Sequence, residues 1–423
     1  MNVLILGSGG REHAFAWKIS QSSLCKKLFI SPGNAGTSEI GTNISINVNE
    51  FEKIRSFCVK EDINIVVVGP EDPLVNGIYD FFQSTSELEN ITIIGPSKAG
   101  AQLEGSKEFA KKFMEKYNIP TAKYKSFNEN NLNDGYVFLE SLNPPYVLKA
   151  DGLAAGKGVL ILNDLEQAKR SLEEMISKNK FGEAGRTVVI EECLKGIELS
   201  VFILTDGVSY KILPSAKDYK RVGENDTGLN TGGMGAVSPV PFVDRFFIEK
   251  VEREIIIPTI KGLQLEGIDY KGFLFIGLMV DNGNAKVIEY NVRMGDPETE
   301  VVIPRIKSDL LNLFVGIKNG SFSEIDLDVT EETAATVMLC SEGYPEKYIK
   351  GHKISCLNDV DQSIVFHSGT KKENSHVVTD GGRVLCLTSF GKSIKEAIEK
   401  SFVNAKKINF KGKYYRKDIG LDL

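Results

Sequence analysis

Histidine, paired cysteines and long apolar runs are scarce in this 423-residue sequence, and each shortage argues against a class of protein. Only four histidines are present, so chemistry built on histidine clusters is disfavoured. The six cysteines are scattered without a C-x-x-C pair, which argues against disulfides and zinc sites. No apolar run approaches the ~20 residues of a membrane helix. The opening MNVLILGSGG lacks the basic segment that begins a signal peptide.

Basic residues are also outnumbered, giving a net charge of -6, which argues against non-specific nucleic-acid binding. The composition, 42% hydrophobic and 26% charged, is that of an ordinary folded protein. The length predicts roughly two to four domains. We therefore expect a cytoplasmic protein that binds small molecules and has neither a nucleic-acid nor a membrane partner.

Apolar strands alternate with helical stretches in the first hundred residues. The strands are VLIL (3–6), KLFIS (27–31), INIVVVG (63–69) and ITIIG (91–95). This alternation predicts a parallel α/β sheet with functional loops at the carboxyl ends of its strands. A region rich in strands and glycine loops follows to about residue 320. A third region begins near Glu331 and ends in a predicted helix with one apolar face, formed by Ile394, Ile398, Phe402 and Ala405.

Three glycine-bearing loops follow strands of the first region. The first is GSGGREHA (7–14). It is either a phosphate site, because backbone N–H groups that open a helix can bind an anion, or a tight turn without a ligand. It is not a dinucleotide fingerprint, since Glu12 stands where the third glycine would be. The others are SPGNAGT (31–37) and VGPEDPL (68–74). Three such loops at one sheet edge favour a phosphate-containing small molecule over NAD.

The segment VLKADGLAAGKGVLIL (147–162) has the composition of a phosphate loop but not its spacing. Only three residues separate Gly152 from Gly156, and Gly158 rather than Ser or Thr follows Lys157. We predict strand, loop and short buried strand, that is, a hairpin flap. Lys149 lies in an otherwise apolar strand and needs an anion, because burying an unpaired ammonium is costly. With Lys107 and the Gly156–Gly158 loop, the predicted anion is a nucleotide triphosphate; the alternative is a lysine whose head reaches solvent.

Three carboxylates lie between the apolar strands of residues 187–204. Glu191, Glu192 and Glu198 are either solvated strand ends, or an adenine-binding linker from Glu191 to Leu194 with a ribose-binding acid at Glu198. The residues alone leave both interpretations open.

The stretch KVIEYNVRMGDPETE (286–300) carries a predicted metal site. Alternation in an extended strand puts Glu289, Asn291 and Arg293 on one side. A carboxylate and an amide oxygen suit a hard ion such as Mg²⁺, and Arg293 can neutralise charge on a transferred phosphoryl group. The alternative is a charged outer strand face.

A basic stretch precedes the longest glycine-rich loop. Lys217, Asp218, Lys220 and Arg221 come directly before residues 223–236, GENDTGLNTGGMGA. A mobile loop is one interpretation. The other is a substrate clamp, with basic groups for phosphate, an acid for an amine and backbone N–H groups for a carboxylate.

Together these segments resemble the phosphoribosylamine–glycine ligase (glycinamide ribonucleotide synthetase) family of ATP-grasp enzymes. The matching segments run in order from residue 7 to residue 420 and are GSGGREHA, PGNAGT, VGPE, QLEGSK, KADGLAAGKGV, KRVGENDTGLNTGGMGA, VIEYNVRMGDPETE, GGRVLC and RKDIG. Tyr219 departs from the family pattern, where histidine is expected. The strand FLFIGLMV (273–280) lacks the metal-binding acid of many other ATP-grasp enzymes.

The resemblance implies a multidomain α/β and α+β fold. Its expected domains are an N-terminal parallel α/β (pre-ATP-grasp) domain at 1–104, a two-lobed ATP-grasp domain at 105–322 with its flap lobe at about 121–192, and a small C-terminal α+β domain at 323–423. The implied reaction is ATP-dependent ligation of glycine to 5-phosphoribosylamine in purine biosynthesis. It passes through glycyl phosphate, uses Mg²⁺ or Mn²⁺ and releases glycinamide ribonucleotide, ADP and phosphate. We expect a monomer.

The resemblance also implies roles for particular residues. The expected ATP-binding residues are Lys107, Lys149, Gly156, Lys157, Gly158, Glu191, Glu192, Leu194 and Glu198. The expected substrate-binding residues are Gly9, Gly10, Arg11, Glu12, Asn34, Gly36, Thr37, Pro70, Glu71, Asp218, Lys220, Gly232, Gly233, Arg293 and Asp296. Arg293, Asp218 and Lys220 are the expected catalytic residues, and Glu289 and Asn291 the expected metal ligands.

Three other functions compete with this one. Another ATP-grasp carboxylate–amine ligase would use a different amine acceptor. In a non-catalytic nucleotide-binding regulator, the metal-ligand pair Glu289 and Asn291 and the side chain of Arg293 would have no evident function. A dinucleotide-dependent oxidoreductase is disfavoured by Glu12 and because FISPGNAGT (29–37), some twenty residues on, offers no acid for a ribose.

Overall fold

The N-terminal region forms a parallel sheet flanked by helices in a computed structural model that describes residues 1–153, 158–177 and 185–423. Its strands are β1 Asn2–Gly7, β2 Lys27–Pro32, β3 Thr42–Asn43, β4 Ile65–Val68 and β5 Thr92–Pro96. Its helices are α1 Gly10–Ile19, α2 Thr37–Ile40, α3 Phe51–Lys60, α4 Glu71–Val75, α5 Ile78–Gln83 and α6 Lys98–Gly105. The strand order is β3-β2-β1-β4-β5, and every pairing is parallel.

Both faces of this sheet are buried, which explains its unbroken apolar strands. Along β1, Leu4 and Leu6 pack into one core, whereas Val3 and Ile5 pack into a second core on the opposite face. The loops that follow β1, β2 and β4 lie together at the carboxyl edge, as the alternation of strands and helices predicts.

A small antiparallel sheet forms the flap lobe. After helix α7 (Lys107–Lys116), its elements are β6 Tyr124–Phe127, α8 Leu132–Glu140, β7 Tyr146–Ala150, β8 Val159–Leu162, α9 Leu165–Ser177 and β9 Val188–Glu192. The strand order is β6-β9-β7-β8. The predicted strand–loop–strand is present as β7 and β8, but the expectation that β8 is buried is wrong. Ile161 is 50% exposed because β8 forms the sheet edge.

The rest of the central region carries most of the residues that line the cleft, which is the pocket around Glu198, Lys220 and Glu289. Its strands are β10 Ile197–Thr205, β11 Tyr210–Ile212, β12 Lys217–Asp218, β13 Arg221–Gly223, β14 Thr227–Asn230, β15 Gly235–Ser238, β16 Tyr270–Asp281 and β17 Asn284–Asn291. Its helices are α10 Arg245–Val251, the π-helical turn Glu252–Ile256, α11 Ile257–Leu265, α12 Thr299–Arg305 and α13 Leu310–Asn319. Strand β16 pairs with β10 and β17, and its first residues also pair with β5.

The C-terminal region consists of an antiparallel sheet, a two-stranded ribbon and one long helix. Its elements are β18 Thr333–Ser341, β19 Ser363–His367, β20 Thr370–Glu373, β21 His376–Thr379, β22 Arg383–Gly391, α14 Ile394–Lys407 and β23 Lys413–Tyr414. Short 3₁₀ turns occur at Glu129–Asn131, Glu224–Asp226, Phe322–Glu324 and Leu357–Asp359. The predicted apolar face of α14 packs on this sheet, with Ile398 and Ala405 buried.

Sheets cross both expected domain boundaries. Strand β16 pairs with β5 of the N-terminal region, and β12 and β15 join β18 in the C-terminal sheet. The boundaries at 104/105 and 322/323 stay predictions. Within the ranges that the structure describes, no helix combines the length and the apolar character needed to cross a bilayer.

Candidate active site

The end of strand β17 brings the predicted metal ligands to the cleft. Glu289 pairs with Gly277 and Asn291 with Phe275, so both lie on one side of the strand, between the buried Val287 and Val292. A bulge at this point lets β17 carry one residue more than its partner. Bulges of this kind redirect side chains and are common beside active sites. Arg293, which was expected to continue the alternation, lies beyond the strand end.

Four cationic side chains surround Glu289. Burial alone would raise the pKa of Glu289, but the surrounding cations hold it below the ordinary range. In order of influence they are Lys220, Lys149, Lys107 and Arg293. They come from separate elements, so only the folded chain places them together. A carboxylate kept ionised among cations is suited to binding a metal ion and phosphate oxygens.

Lys149 does find an anion, but that anion belongs to the protein. Its Nζ lies 3.0 Å from Glu191 Oε1, and Lys111 Nζ lies 3.0 Å from Glu191 Oε2. All three side chains are buried. The reasoning that Lys149 requires a nucleotide as its anion was therefore wrong, because Glu191 compensates it. The three groups carry a net charge of +1, and a role in binding phosphate stays a prediction.

The base of the flap is tied to the helix that carries Lys107. Lys107 Nζ donates to the Gly152 carbonyl at 3.0 Å. Asp151 accepts from Ser106 Oγ and from the Glu108 N–H, each at 3.0 Å, so it completes the N-terminal cap of α7. The Gly158 carbonyl accepts from the Ala150 N–H at 2.8 Å. The predicted phosphate residues Gly156 and Lys157 lie outside the described residues.

The expected adenine linker, Glu191 to Leu194, begins in the last two residues of β9. Glu192 accepts from the Lys123 N–H at 3.1 Å and from Lys286 Nζ at 3.0 Å, and Leu194 is half-buried beside it. Glu198, the expected ribose acid, accepts from Lys220 Nζ at 2.5 Å. One expected ATP-binding residue is thus bonded to one expected substrate-binding residue.

Asp218 and Lys220 lie in the cleft, whereas Tyr219 between them points away from it. Burial raises the pKa of Asp218, and Lys220 counteracts that shift. Tyr219 is buried, donates its hydroxyl to Asp422 at 2.5 Å and accepts from the Gly420 N–H at 2.9 Å. The departure from the family pattern at Tyr219 therefore serves packing against the C-terminal segment.

Arg293 is held between two acids of the N-terminal region. Its Nη2 donates to Glu104 Oε1 at 2.7 Å, and its Nε lies 3.4 Å from Glu71 Oε2. Burial disfavours the charge on Glu71, but Arg293 and Arg11 lower its pKa. Pro70 directly precedes helix α4, which begins at Glu71. The loop after β4 therefore reaches Arg293, and substrate contacts by Pro70 and Glu71 stay predictions.

The first glycine loop is filled by its own helix. Glu12 Oε2 accepts from the Gly9 N–H at 2.6 Å, and Glu12 Oε1 lies 2.6 Å from Arg11 Nε. A Cβ at Gly69 would stand 2.0 Å from Glu12 Oε1, so this side chain occupies the space between two loops. The Gly9 N–H is therefore already bonded within the protein, and substrate contacts by Gly9, Gly10, Arg11 and Glu12 stay predictions. The Arg11 N–H points at Asp296 Oδ2, 3.5 Å away.

The second glycine loop is internally satisfied. The Asn34 amide donates to the carbonyls of Ser8 at 2.9 Å and His367 at 2.7 Å, and it accepts from the N–H groups of Gly36 and Thr37. These bonds use the four hydrogen-bonding positions of an amide. Asn34 thus joins two N-terminal loops to the C-terminal region, and substrate contacts by Asn34, Gly36 and Thr37 stay predictions.

The C-terminal region contributes Arg383 to the cleft. Its Nη1 donates to the carbonyls of Gly232 at 2.6 Å and Asp296 at 2.7 Å, and its Nη2 lies 3.0 Å from Asp296 Oδ1. Gly233 has a φ of 118° and packs against Pro297, so a side chain there would clash. One arginine thereby fixes both the glycine-rich loop and the turn after β17.

The structure therefore gathers most of the predicted site into one cleft, and sequence reasoning missed several of its members. The missed residues are Glu104, Lys111, Asp151, Glu298 and Arg383. Glu104 and Arg383 stand inside the QLEGSK and GGRVLC segments. Lys111 lies on the buried face of α7 with Ala110 and Met114, a position where lysine is exceptional. Glu298 is buried, and burial together with Asp218 raises its pKa to about 7.

The donor set fits a magnesium-type ion. In the described part of the chain, no group of three or more His, Cys, Asp and Glu side chains is placed to hold a metal. Glu289 and Asn291 offer two hard oxygen ligands on one side of β17. Such ions take one or two carboxylates and complete their coordination with phosphate oxygens and water.

Comparisons with known proteins give the family. Models of the phosphoribosylglycinamide synthetase N domain, ATP-grasp (A) domain and C domain match residues 1–104, 105–299 and 334–422 in that order. The phosphoribosylamine–glycine ligase of Fusobacterium nucleatum is 46% identical over 426 residues, which cover 99% of this chain and 98% of that protein. This chain belongs to the phosphoribosylglycinamide synthetase family.

Other relatives agree with this membership. A bifunctional purine biosynthetic protein of Pichia angusta is 44% identical, and the match covers 99% of this chain and 53% of that protein. The crystal structure of the phosphoribosylamine–glycine ligase of Thermotoga maritima has a TM-score of 0.86 and 36% identity, covering 99% of this chain and all of that one. Family membership confirms the resemblance and the predicted fold class. ATP-grasp enzymes in general use a divalent metal ion with ATP.

More distant structures share only the fold. The biotin carboxylase domain of a Hydrogenobacter thermophilus 2-oxoglutarate carboxylase is 16% identical with a TM-score of 0.73, covering 98% of this chain and 91% of that one. At this identity the likeness concerns the arrangement of domains and says nothing of the substrate.

Proposed function

We propose that this chain ligates glycine to 5-phosphoribosylamine, converting ATP to ADP and phosphate and forming glycinamide ribonucleotide in purine biosynthesis. The observation that carries the proposal is the set of four cations around Glu289, on a framework shared over its full length with phosphoribosylamine–glycine ligases. Such an arrangement suits phosphoryl transfer to a carboxylate, because it holds phosphates and neutralises growing charge.

The first step joins glycine to the γ-phosphoryl group. The glycine carboxylate oxygen attacks the γ-phosphorus, the bond to the ADP oxygen breaks, and glycyl phosphate forms. Lys107 and Lys149 would hold the phosphates, and Arg293 would face the transferred group. Glu289 and Asn291 would hold Mg²⁺ or Mn²⁺, which supplies further neutralisation of the phosphate charge.

The second step forms the amide bond. The amine of 5-phosphoribosylamine attacks the carbonyl carbon of glycyl phosphate, and the carbon–oxygen bond breaks to release phosphate. Positioning and exclusion of water are the main requirements, since the acyl phosphate is already activated. The loops that Arg383 and Asn34 fix would position the substrates and exclude water.

Glycine would bind between Asp218 and Lys220. The ammonium group of glycine would favour the ionised form of Asp218, whose pKa burial otherwise raises. Lys220 would hold the carboxylate. Because Lys220 is bonded to Glu198, that pair would separate when the ribose of ATP takes Glu198.

An assay with purified protein tests this function. We expect ADP release that requires both glycine and freshly prepared phosphoribosylamine, together with Mg²⁺ or Mn²⁺, and one glycinamide ribonucleotide per ADP. A Glu289→Gln variant controls for contaminating ATPases. Turnover with a different carboxylate or amine, but not with these two, would establish another ATP-grasp ligase instead. Formation of AMP and pyrophosphate would contradict the mechanism.

We further propose that the chain acts in the cytoplasm as a monomer. All six cysteines are free, which suits a reducing compartment. Light scattering after gel filtration should give the mass of one chain, and twice that mass would contradict the proposal.

A further inference from the structure

Glu104 occupies the junction between helix α6 and the end of strand β17. It lies in the last turn of α6, and its side chain is 8% exposed. Its two carboxylate oxygens have different partners. Oε1 accepts from Arg293 Nη2 at 2.7 Å, and Oε2 accepts from the Val292 N–H at 2.8 Å.

These two bonds hold both the backbone beside the metal-ligand pair and the guanidinium group of Arg293. Val292 directly follows Asn291, so its N–H bond holds the backbone that presents the metal-ligand pair. The bond to Arg293 orients a guanidinium that would otherwise have many rotamers, because free arginine side chains carry large conformational entropy. The side chain of Arg293 is 17% exposed, so part of it still faces the cleft.

Helix α6 is itself anchored, so Glu104 can transmit its position. Ser97 caps the helix by accepting from the Gly100 N–H, and Asp80 accepts from the Lys98 N–H at 2.6 Å. The next helix begins at Lys107, another of the four cations that act on Glu289. The junction between α6 and α7 therefore helps to fix the positions of Lys107 and Arg293, two of the four cations.

We propose that Glu104 is a positioning residue for phosphoryl transfer, orienting Arg293 with one carboxylate oxygen and the backbone after Asn291 with the other. The inference rests on the function proposed above. Glu104 acts through Arg293 and does not touch the reacting atoms itself. Residues that orient such groups typically contribute about 10–100-fold to activity or metal affinity.

The Glu104→Gln variant tests the inference, because glutamine keeps the size but cannot accept from both donors. We expect kcat to fall about 10–100-fold, while KM for ATP changes less than about twofold because Lys107 and Lys149 remain. Gln102→Ala on the same helix is the matched control, since the side chain of Gln102 donates to the Lys98 carbonyl of its own helix. Unchanged kcat in Glu104→Gln would overturn the inference.

A double variant separates positioning from general loss of packing. Because Glu104 acts partly through Arg293, Glu104→Gln should lower kcat by a smaller factor in the Arg293→Met background than in the wild type. Fully multiplicative losses would overturn the inference. Should Glu104→Gln fail to fold, Glu104→Asp retains the charge but is too short to span both donors, and the same comparison applies.

An NMR measurement makes the inference independent of the proposed reaction. The side-chain Nη–H protons of Arg293, assigned from their absence in Arg293→Met, should exchange slowly in the wild type, where Nη2 donates to Glu104, and faster in Glu104→Gln. Equal exchange would overturn the inference. If the wild type forms no glycinamide ribonucleotide but this difference is present, the proposed function fails and the positioning role of Glu104 stands.

Discussion

The buried trio of Lys111, Glu191 and Lys149 gives the sharpest test of the charge arrangement. Glu191 lies 3.0 Å from each ammonium, and the three side chains are between 2% and 6% exposed. Replacing Glu191 by glutamine leaves two buried ammonium groups without the carboxylate that both contact. Replacing Lys149 by methionine leaves a neutral pair. Both variants remove the ion pair between Lys149 and Glu191, but Glu191→Gln leaves two positive charges and Lys149→Met leaves no net charge.

The expected loss of stability in each variant follows from the net charge that it leaves among these side chains. Removing one partner of a buried ion pair costs about 3–5 kcal/mol when a charge is left uncompensated. Losing one hydrogen bond between charged groups costs about 1.5–3 kcal/mol. Glu191→Gln belongs to the first case and Lys149→Met to the second, because Lys111 still compensates Glu191 there. We expect Glu191→Gln to be less stable than Lys149→Met by about 2 kcal/mol.

Amide hydrogen exchange read by mass spectrometry measures this difference locally. The informative peptides contain β7 (Tyr146–Ala150) and β9 (Val188–Glu192), which carry Lys149 and Glu191. Local opening free energies suit this multidomain chain better than a single unfolding transition. Glu166→Gln is the control, since its 3.4 Å pair with Lys169 is exposed and should contribute little. Equal opening free energies for Glu191→Gln and Lys149→Met would refute the reasoning.

Three further predictions concern the metal site, pH and the family departure. Glu289→Ala should lower metal-dependent kcat at least about 100-fold, whereas Asn284→Ala on the same strand should not. Normal turnover of Glu289→Ala would show that Glu289 is not a metal ligand. Burial, with repulsion from a neighbouring imidazole, lowers the pKa of His13 to about 3 from 6.5, so the unfolded state binds more protons between these values. Stability should therefore fall on acidification from pH 6.5, with a slope of about 1.4 kcal/mol per pH unit from this group. The thermal midpoint of His13→Gln should vary less with pH, and that of the exposed control His376→Gln should follow the wild type. Tyr219→Phe should lose about 1–3 kcal/mol by calorimetry with kcat within about twofold; a large loss of kcat would place this hydroxyl in the reaction.

Some features of the site followed from local patterns in the sequence. The alternation of apolar strands and helices predicted the parallel sheet and placed three loops at one edge. Glu289 and Asn291 were placed on one side of a strand by a period of two, and the structure keeps them there. The ordered motifs indicated the family. Each of these inferences depends on residues close together in the chain or on the order of segments.

The partners of the charged groups could not be predicted in this way. Glu104 and Arg293 are 189 residues apart, and the bond from Tyr219 to Asp422 joins residues 203 apart. A lysine in an apolar strand predicts that an anion exists, but it does not say whether a ligand or Glu191 provides it. The sequence likewise placed Arg293 in the strand, whereas β17 ends at Asn291, because the end of a strand depends on its pairing with β16.

The sequence by itself thus determined the elements, their order, the family and the chemical types of group that would meet. Only the tertiary structure decided which groups are already satisfied by the protein and which remain for ligands. The physical reason is that helix and strand patterns arise from the local periodicity of burial. Ion pairs and close backbone approaches also join residues far apart in the chain, as Lys111 does with Glu191 and Arg383 does with Gly232 and Asp296.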